Sequence, residues 1–226
     1  MASYDFKDKL PRGAIFDLDG TLIRSSHVWS DIDVKFLAKR GFEVPEDYFK
    51  KISCMNFREG AEYTIARFGL NERAEDIVAE WFEMARYEYE HNICMKPHAA
   101  EFLRALRENG VKLALATASD KALYTAVLKN NGVYELFDAF AATDEVCRSK
   151  ESPDVYIYAA GKLGCRVSDC AVFEDVYQGA ESAKRAGFFV CACLDEYYAC
   201  DHEKLIACAD ISFADYDELM QKLSCL

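Results

Sequence analysis

The chain has 226 residues and a formal net charge of −12, with 51% hydrophobic and 29% charged residues. This is the composition of an ordinary globular protein with enough apolar material for a sizeable core, and the acidic balance argues against nucleic acid as a partner, since phosphate backbones are bound by clustered Lys and Arg. No apolar run approaches the roughly 18 residues of a membrane span, so no membrane partner is expected, and the polar stretch Met1–Lys9 has no apolar segment of a secretory leader.

The first apolar run, Gly13 to Leu18, carries Ile15, Phe16 and Leu18 and reads as a buried strand that delivers Asp17, Asp19, Gly20 and Thr21 to its end. From about Ser25 to His91 the pattern turns helical. Val28, Trp29, Ile32, Phe36 and Leu37 keep a helical spacing up to Arg40-Gly41; Phe57, Ala61, Ile65 and Phe68 keep it up to Gly69; Ile77, Val78, Trp81, Met84 and Ala85 form a third set. Strand and helix alternate after Pro97: a helix from Glu101 to Asn109, a strand from Val111 to Thr117, a helix from Lys121 to Asn131, a short strand at Ala139–Ala142, and a helix from Pro153 to Leu163. A strand at Cys170–Phe173, a helix from Gly179 to Ala186, a strand from Phe189 to Leu194, a strand near Ile211 and a helix from Asp215 to Leu223 complete the series. Such alternation means βαβ units and a parallel α/β sheet. The first strand belongs to that sheet, which makes the helical block an insertion after it.

Ten cysteines suggest a disulfide framework by number alone. The length of the chain and the lack of any Cys-x-x-Cys pair point instead to thiols packed as small hydrophobes, Cys165, Cys170 and Cys208 among them, in a reducing cytoplasm. Cys191 and Cys193, two residues apart in a strand, share one sheet face, but no second cysteine pair is close enough in sequence to make a zinc site.

The chemistry-bearing residues fall at strand ends, where open parallel sheets bind their ligands. Asp17 and Asp19 repel each other there unless a cation pairs with them, and a hard divalent ion such as Mg²⁺ takes oxygen ligands. A carboxylate in this position is also able to attack phosphorus; taken alone, the pair also fits a solvated Asp-Gly turn. Thr117 and Ser119 place two hydroxyls just before a helix, where an anion is well received, though Ser and Thr are also common helix caps. Lys150, before the Pro153-Asp154 helix start, would neutralise a phosphate and a neighbouring carboxylate, and by itself fits a solvated surface lysine. Glu174-Asp175 would complete a metal site, or cap the next helix.

Taken together and in this order, these signals resemble the haloacid dehalogenase superfamily of phosphohydrolases, in the branch of β-phosphoglucomutase and phosphoglycolate phosphatase. Asp17 to Thr21 matches the first motif, Thr117 the second, Lys150 the third, and Glu174-Asp175 with Gly179 and Gly187 the fourth. The resemblance implies a Rossmann-like parallel-sheet core over residues 1–23 and 96–226, with an all-helical cap over residues 24–95. It implies Asp17 as nucleophile and metal ligand, and Asp19 as general acid/base that binds metal through its main-chain carbonyl. Thr117, Ala118, Ser119 and Lys150 would hold the phosphoryl group, and Asp175 would bind Mg²⁺ with help from Glu174. Three positions depart from the family's usual pattern: Arg24 replaces an acidic residue, Val176 a serine, and the lysine motif reads Lys-Glu-Ser-Pro-Asp.

The expected activity is a Mg²⁺-dependent phosphatase acting, as a cytoplasmic monomer, on a small phosphorylated metabolite through an aspartyl-phosphate. The alternative is a sugar phosphomutase, which these motifs do not separate from a phosphatase. Dehalogenase and phosphonate-cleaving relatives lack an aspartate at the position of Asp19. A signalling receiver domain has its acidic pair and its phosphorylated aspartate on different strands and no helical cap, and a catalytically silent binding protein has no need of intact catalytic positions. In the cap, His27 and Arg58 are candidate substrate contacts; a packing histidine and a solvated helix arginine are the plain alternatives.

Overall fold

The computed structural model describes residues 10–52, 55 and 57–223, so the expectation for Met1–Lys9 lies outside the described residues. In chain order the elements are β1 (Gly13–Phe16), α1 (Val28–Ala38), α2 (Tyr48–Ile52), α3 (Phe57–Phe68), α4 (Ala74–His91), α5 (Ala99–Glu108), β2 (Lys112–Thr117), α6 (Lys121–Asn130) and β3 (Ala139–Ala142). There follow α7 (Thr143–Val146), α8 (Asp154–Lys162), β4 (Cys170–Glu174), α9 (Tyr177–Ala186), β5 (Phe189–Cys193), α10 (His202–Cys208), β6 (Ile211–Phe213) and α11 (Tyr216–Leu223). The chain divides into two compact units, one of residues Met1–Ser25 and Ile93–Leu226, the other Ser26–Asn92.

The first unit is built on a six-stranded sheet in the order β3-β2-β1-β4-β5-β6, with every neighbouring pair parallel. The chain runs outward from β1 through β2 to β3, then returns to the other side of β1 with β4. Strand order therefore reverses between β1 and β4, and the crevice at their carboxyl ends is where such sheets bind ligands. β1, β4 and β5 are buried along their whole length, which explains why they read as continuous apolar runs rather than alternating ones.

Alternation along β1 and β4 sends successive side chains to opposite faces. Ile15 and Val172 join a core with Val155, Tyr156 and Ala159 of α8 and Ala180 and Ala183 of α9. Phe16 and Phe173 go to the other face and stack with ring centroids 4.2 Å apart. Phe102 of α5 meets Phe173 edge-on at 5.7 Å, and Tyr216 of α11 lies 5.4 Å from Phe102. Full burial of each such ring contributes about 1.5–3 kcal/mol. These two cores fix the sheet, and with it the strand ends.

After β1 the backbone turns at Gly20, whose φ of 81° lies in the left-handed region that favours glycine. The turn closes with the Gly20 N–H donating to the Ile23 carbonyl at 3.1 Å. The segment that leaves the sheet then pairs with the segment that returns to it. Arg24 N–H donates to the Cys94 carbonyl at 3.0 Å, Lys96 N–H to the Leu22 carbonyl at 2.8 Å, and Ile23 and Met95 form an antiparallel bridge. The eight described cysteines are all free thiols, and Cys170, Cys191 and Cys193 are buried.

The second unit is helical. Phe36 of α1 meets Trp81 of α4 edge-on at 5.5 Å. Arg40, just after α1, lies 3.6 Å over the Phe36 ring while its guanidinium donates to Glu72 and Glu80. In α3, Thr64 Oγ1 donates to the Gly60 carbonyl at 2.7 Å and pairs with the buried Tyr48 hydroxyl of α2.

Asp33 of α1 is buried in this unit, and burial pushes its carboxyl from 3.8 up to about 7. The folded chain therefore holds a proton there that the unfolded chain has released. Asp33's contribution to stability is present below the unfolded value and is lost as pH rises through about 7. Asp33→Asn is expected to raise the melting temperature by several degrees at about pH 8 and to change it little at about pH 4, by scanning calorimetry. An equal shift at both pH values would contradict the burial of a titrating carboxyl.

Candidate active site

Asp17 is the first residue past β1. Its N–H still donates to the Phe173 carbonyl at 2.9 Å, which continues the ladder and sets the Asp17 side chain beside the end of β4. Glu174 ends β4 and Asp175 follows it. Asp17, Asp175 and Glu174 are buried, and one carboxylate oxygen from each lies within 4.8 Å of the others.

Lys150 reaches this cluster from the loop before α8. Its Nζ donates to Asp17 Oδ1 and, at 2.6 Å, to Glu174 Oε1. Ser182 Oγ of α9 donates to the Lys150 carbonyl at 2.6 Å and anchors the lysine's backbone. Glu174 takes four hydrogen bonds. Its Oε1 accepts from Lys150 and from the Tyr156 hydroxyl at 2.8 Å, and its Oε2 accepts from the N–H groups of Asp175 and Val176 at 2.9 and 3.0 Å. These occupy the full acceptor capacity of a carboxylate. Asp175 is different: Oδ1 accepts from Thr21 Oγ1 at 2.8 Å, while Oδ2 is buried with no partner.

These contacts divide the charge among the acids. Burial disfavours ionised Glu174, but Lys150, the Val176 N–H and Tyr156 outweigh it and hold the carboxyl below its ordinary value. Burial pushes Asp17 up to about 7 against the pull of Lys150, with Glu174 and Asp19 adding to the rise. Asp175 is raised well above its ordinary value by burial and by the charges of Glu174 and Asp17. Lys150 stays above the usual lysine range, because Asp17 and Glu174 offset the cost of burying it.

Asp19 is held differently from the other acids. Its Oδ1 accepts from Ser25 Oγ at 2.7 Å and its Oδ2 from Ser119 Oγ. Thr117, buried at the end of β2, accepts the Ser119 N–H on Oγ1 at 2.9 Å. The cap of α6 is Asp120, whose Oδ1 accepts the Ala122 N–H at 2.7 Å. The two hydroxyls are thus not spent on capping, and the exposed Ala118 lies between them.

Asp17, Asp19, Thr117, Ala118, Ser119, Lys150, Glu174 and Asp175 therefore all lie at the carboxyl end of the first unit's sheet. His27 and Arg58 lie in the second unit, exposed, and each is engaged with acids of its own unit. His27 is 3.8 Å from Asp31, and Arg58 is 3.1 Å from Glu62 and 3.6 Å from Glu75.

Sequence reasoning missed Tyr156, Ser182 and Ser25, which brace Glu174, Lys150 and Asp19. Tyr156 follows Pro153 by three residues, so its helical phase towards the sheet was the available signal. Tyr198, after β5, was also missed; burial and the charges of Asp175, Asp17 and Asp195 push its hydroxyl up to about 12.

Comparison with known proteins agrees with this geometry. A family model described as haloacid dehalogenase-like hydrolase matches residues 11–187. The chain belongs to the haloacid dehalogenase-like hydrolases. It is 31% identical over 185 residues to a bifunctional riboflavin kinase/FMN phosphatase of Arabidopsis thaliana, covering 81% of this chain but only 48% of that protein. It is 28% identical over 206 residues to validoxylamine A 7'-phosphate phosphatase of Streptomyces hygroscopicus subsp. limoneus, covering 91% of this chain and 94% of that one. The crystal structure of a Thermotoga maritima protein assigned as a β-phosphoglucomutase superposes with a TM-score of 0.83 at 22% identity, over 94% of this chain and 98% of that one, and so shares the fold.

The donor set fits a hard divalent cation such as the Mg²⁺ generally used in this family. The cluster offers carboxylate oxygens, and the buried Asp175 Oδ2, which has no hydrogen-bond partner, is an atom that such a cation would satisfy.

Gly179 of α9 leaves the room that Glu174 needs. A Cβ there would fall 2.6 Å from Glu174 Oε1 and 2.7 Å from the Tyr156 hydroxyl. Gly179→Ala is expected to cost about 1–3 kcal/mol in denaturant unfolding and to lower turnover by more than about tenfold, since a displaced Glu174 releases Lys150. Unchanged stability and turnover would show that Glu174 is not confined in this way.

Proposed function

We propose that the chain is a Mg²⁺-dependent phosphatase of a small phosphorylated metabolite, with Asp17 as nucleophile, Asp19 as general acid and then base, and residues 24–95 as its cap. The observation that carries this reading is the different bonding of the two aspartates, one to a lysine and the other to two hydroxyls. The lysine ties Asp17 to the acid cluster, while the two hydroxyls hold Asp19 apart from it, so the two carboxyls are free to take different parts in one reaction.

Lys150 occupies Asp17 Oδ1, which leaves Oδ2 as the attacking oxygen. Asp17 and the Asp175 Oδ2 would hold the metal together with the Asp19 main-chain carbonyl. When bound, Mg²⁺ supplies positive charge beside the transferring phosphoryl oxygens. Asp17 Oδ2 forms a bond to phosphorus as the bond to the leaving oxygen breaks, and Asp19 gives that oxygen its proton. Asp19, now a carboxylate, takes a proton from water; the water oxygen attacks the aspartyl-phosphate, and Asp17 and inorganic phosphate separate. Lys150, the Thr117 hydroxyl and the Ala118 N–H would face the charge on the phosphoryl oxygens, with the Ser119 N–H holding the Thr117 hydroxyl oxygen in place. Glu174 holds Lys150 in place, and this is its contribution to the site. No role is assigned to His27, which lies beside Asp31, or to Arg58, whose charge is met by Glu62 and Glu75 of its own unit.

Two variants test the assignment. Asp17→Asn keeps the side-chain volume and is expected to leave less than about 1% of phosphate release; substantial retained turnover would overturn the nucleophile. Asp19→Asn, followed in single-turnover transfer to the enzyme, is expected to slow an alkyl phosphate by roughly 10²–10⁴-fold. An aryl phosphate such as p-nitrophenyl phosphate, whose leaving anion needs no proton, should be slowed much less. Equal losses on both esters would mean that Asp19 is not the general acid.

A further inference from the structure

A second lysine lies near enough to the acid cluster to feel the charge of Asp175. Lys96 sits on the segment that re-enters the sheet, and its side chain is only 11% exposed. Its Nζ donates to Asp195 Oδ2 at 2.6 Å, and Asp195 is itself 13% exposed. Nζ also lies 3.5 Å from Cys193 Sγ at the end of β5.

Cys193 connects this ion pair to the catalytic loop. Its Sγ is 3.8 Å from the Gly20 carbonyl oxygen and 3.9 Å from that of Thr21. Thr21 in turn donates its hydroxyl to Asp175 Oδ1 at 2.8 Å. Lys96 is therefore two contacts from the loop whose threonine holds the metal-facing aspartate.

We propose that the Lys96–Asp195 pair is a positioning element that sets the charge felt by the divalent cation at Asp175, with Lys96 weakening and Asp195 strengthening metal binding. This rests on the metal site of the functional reading above. The pair is formally neutral, so its net field is small while both partners are present. Removing one partner uncovers the other in a desolvated place where salt screens poorly. Burial works against the charge of Lys96, yet the carboxylates of Asp195 and Asp175 help to hold its proton affinity above the ordinary lysine value. Burial pushes the Cys193 thiol up to about 12, so the sulfur stays a neutral spacer between the lysine and the loop.

Titration calorimetry with MgCl₂ on the metal-free full chain reads the effect without turnover. Lys96→Met is expected to tighten Mg²⁺ binding by about three- to tenfold, and Asp195→Asn to weaken it by a similar factor. The double variant should return to within about twofold of the wild type, as expected for two charges that act as a pair. Loosening of the loop by lost packing would instead weaken binding in all three. Lys96→Gln keeps a hydrogen bond to Asp195 and should shift binding in the same direction as Lys96→Met, which covers the case in which the methionine variant fails to fold. Weaker or unchanged binding in the folded Lys96 variants overturns the proposal and leaves the metal site standing. Absence of Mg²⁺ binding by the wild-type protein overturns both.

Discussion

The contact on which the site depends is the sharing of Lys150 between Asp17 and Glu174. Three buried carboxylates at the ends of two central strands are unstable as three bare charges. The structure resolves this by unequal bonding. Glu174 receives four donors and keeps its charge, whereas Asp17 and Asp175 are left underpaired and pushed upward. The acid that is best satisfied is therefore the one least able to take a cation or attack a substrate. The two poorly satisfied acids are the ones with an oxygen to offer. A site that were fully paired by protein groups would be more stable and chemically inert.

That unequal bonding is set by elements remote in sequence. Tyr156 of α8 reaches Glu174 across 18 positions and Ser182 of α9 reaches the Lys150 carbonyl across 32. Both helices are held against the sheet by the core around Ile15 and Val172. Packing on one face of the sheet thus decides where the lysine stands. The other face, with its stacked Phe16 and Phe173, keeps β1 and β4 in register so that Asp17 and Glu174 arrive side by side.

Much of this was legible in the sequence, for a physical reason. Strands buried on both faces read as unbroken apolar runs, so β1, β2, β4 and β5 stand out, and β1, β2 and β4 end in or run into hydroxyl or acidic residues that stand apart from an apolar run. The short helices were not legible. α10 buries only Leu205 and leaves Ile206 exposed, so it has no apolar period to detect. α2 and α7 span five and four residues, too few to show one. The hydroxyls of Thr117 and Ser119 carried two meanings, cap or anion site, and Asp120 removes the first by taking the cap itself. Lys96 was invisible for another reason. A lone lysine before a proline carries no pattern, and its neighbour Cys193 lies 97 positions further along the chain.

The insertion point also follows from the loop after β1. Every group given a chemical role here lies in the unit of residues Met1–Ser25 and Ile93–Leu226. The outgoing and returning segments pair with each other through Leu22, Arg24, Cys94 and Lys96 before the helical unit begins. That pairing closes the first unit on itself, so the geometry around Asp19, Gly20 and Thr21 is determined without any residue of the insert. Ser25, the last residue of that unit before the helical one, closes this geometry, because its hydroxyl holds Asp19. Of the groups that touch the acids, it stands where the chain leaves the sheet unit. The hydrogen bond of the residue proposed to move the proton is thus made at the end of the sheet unit's first segment, whereas Asp17, Lys150 and Glu174 are bonded to one another well inside that unit.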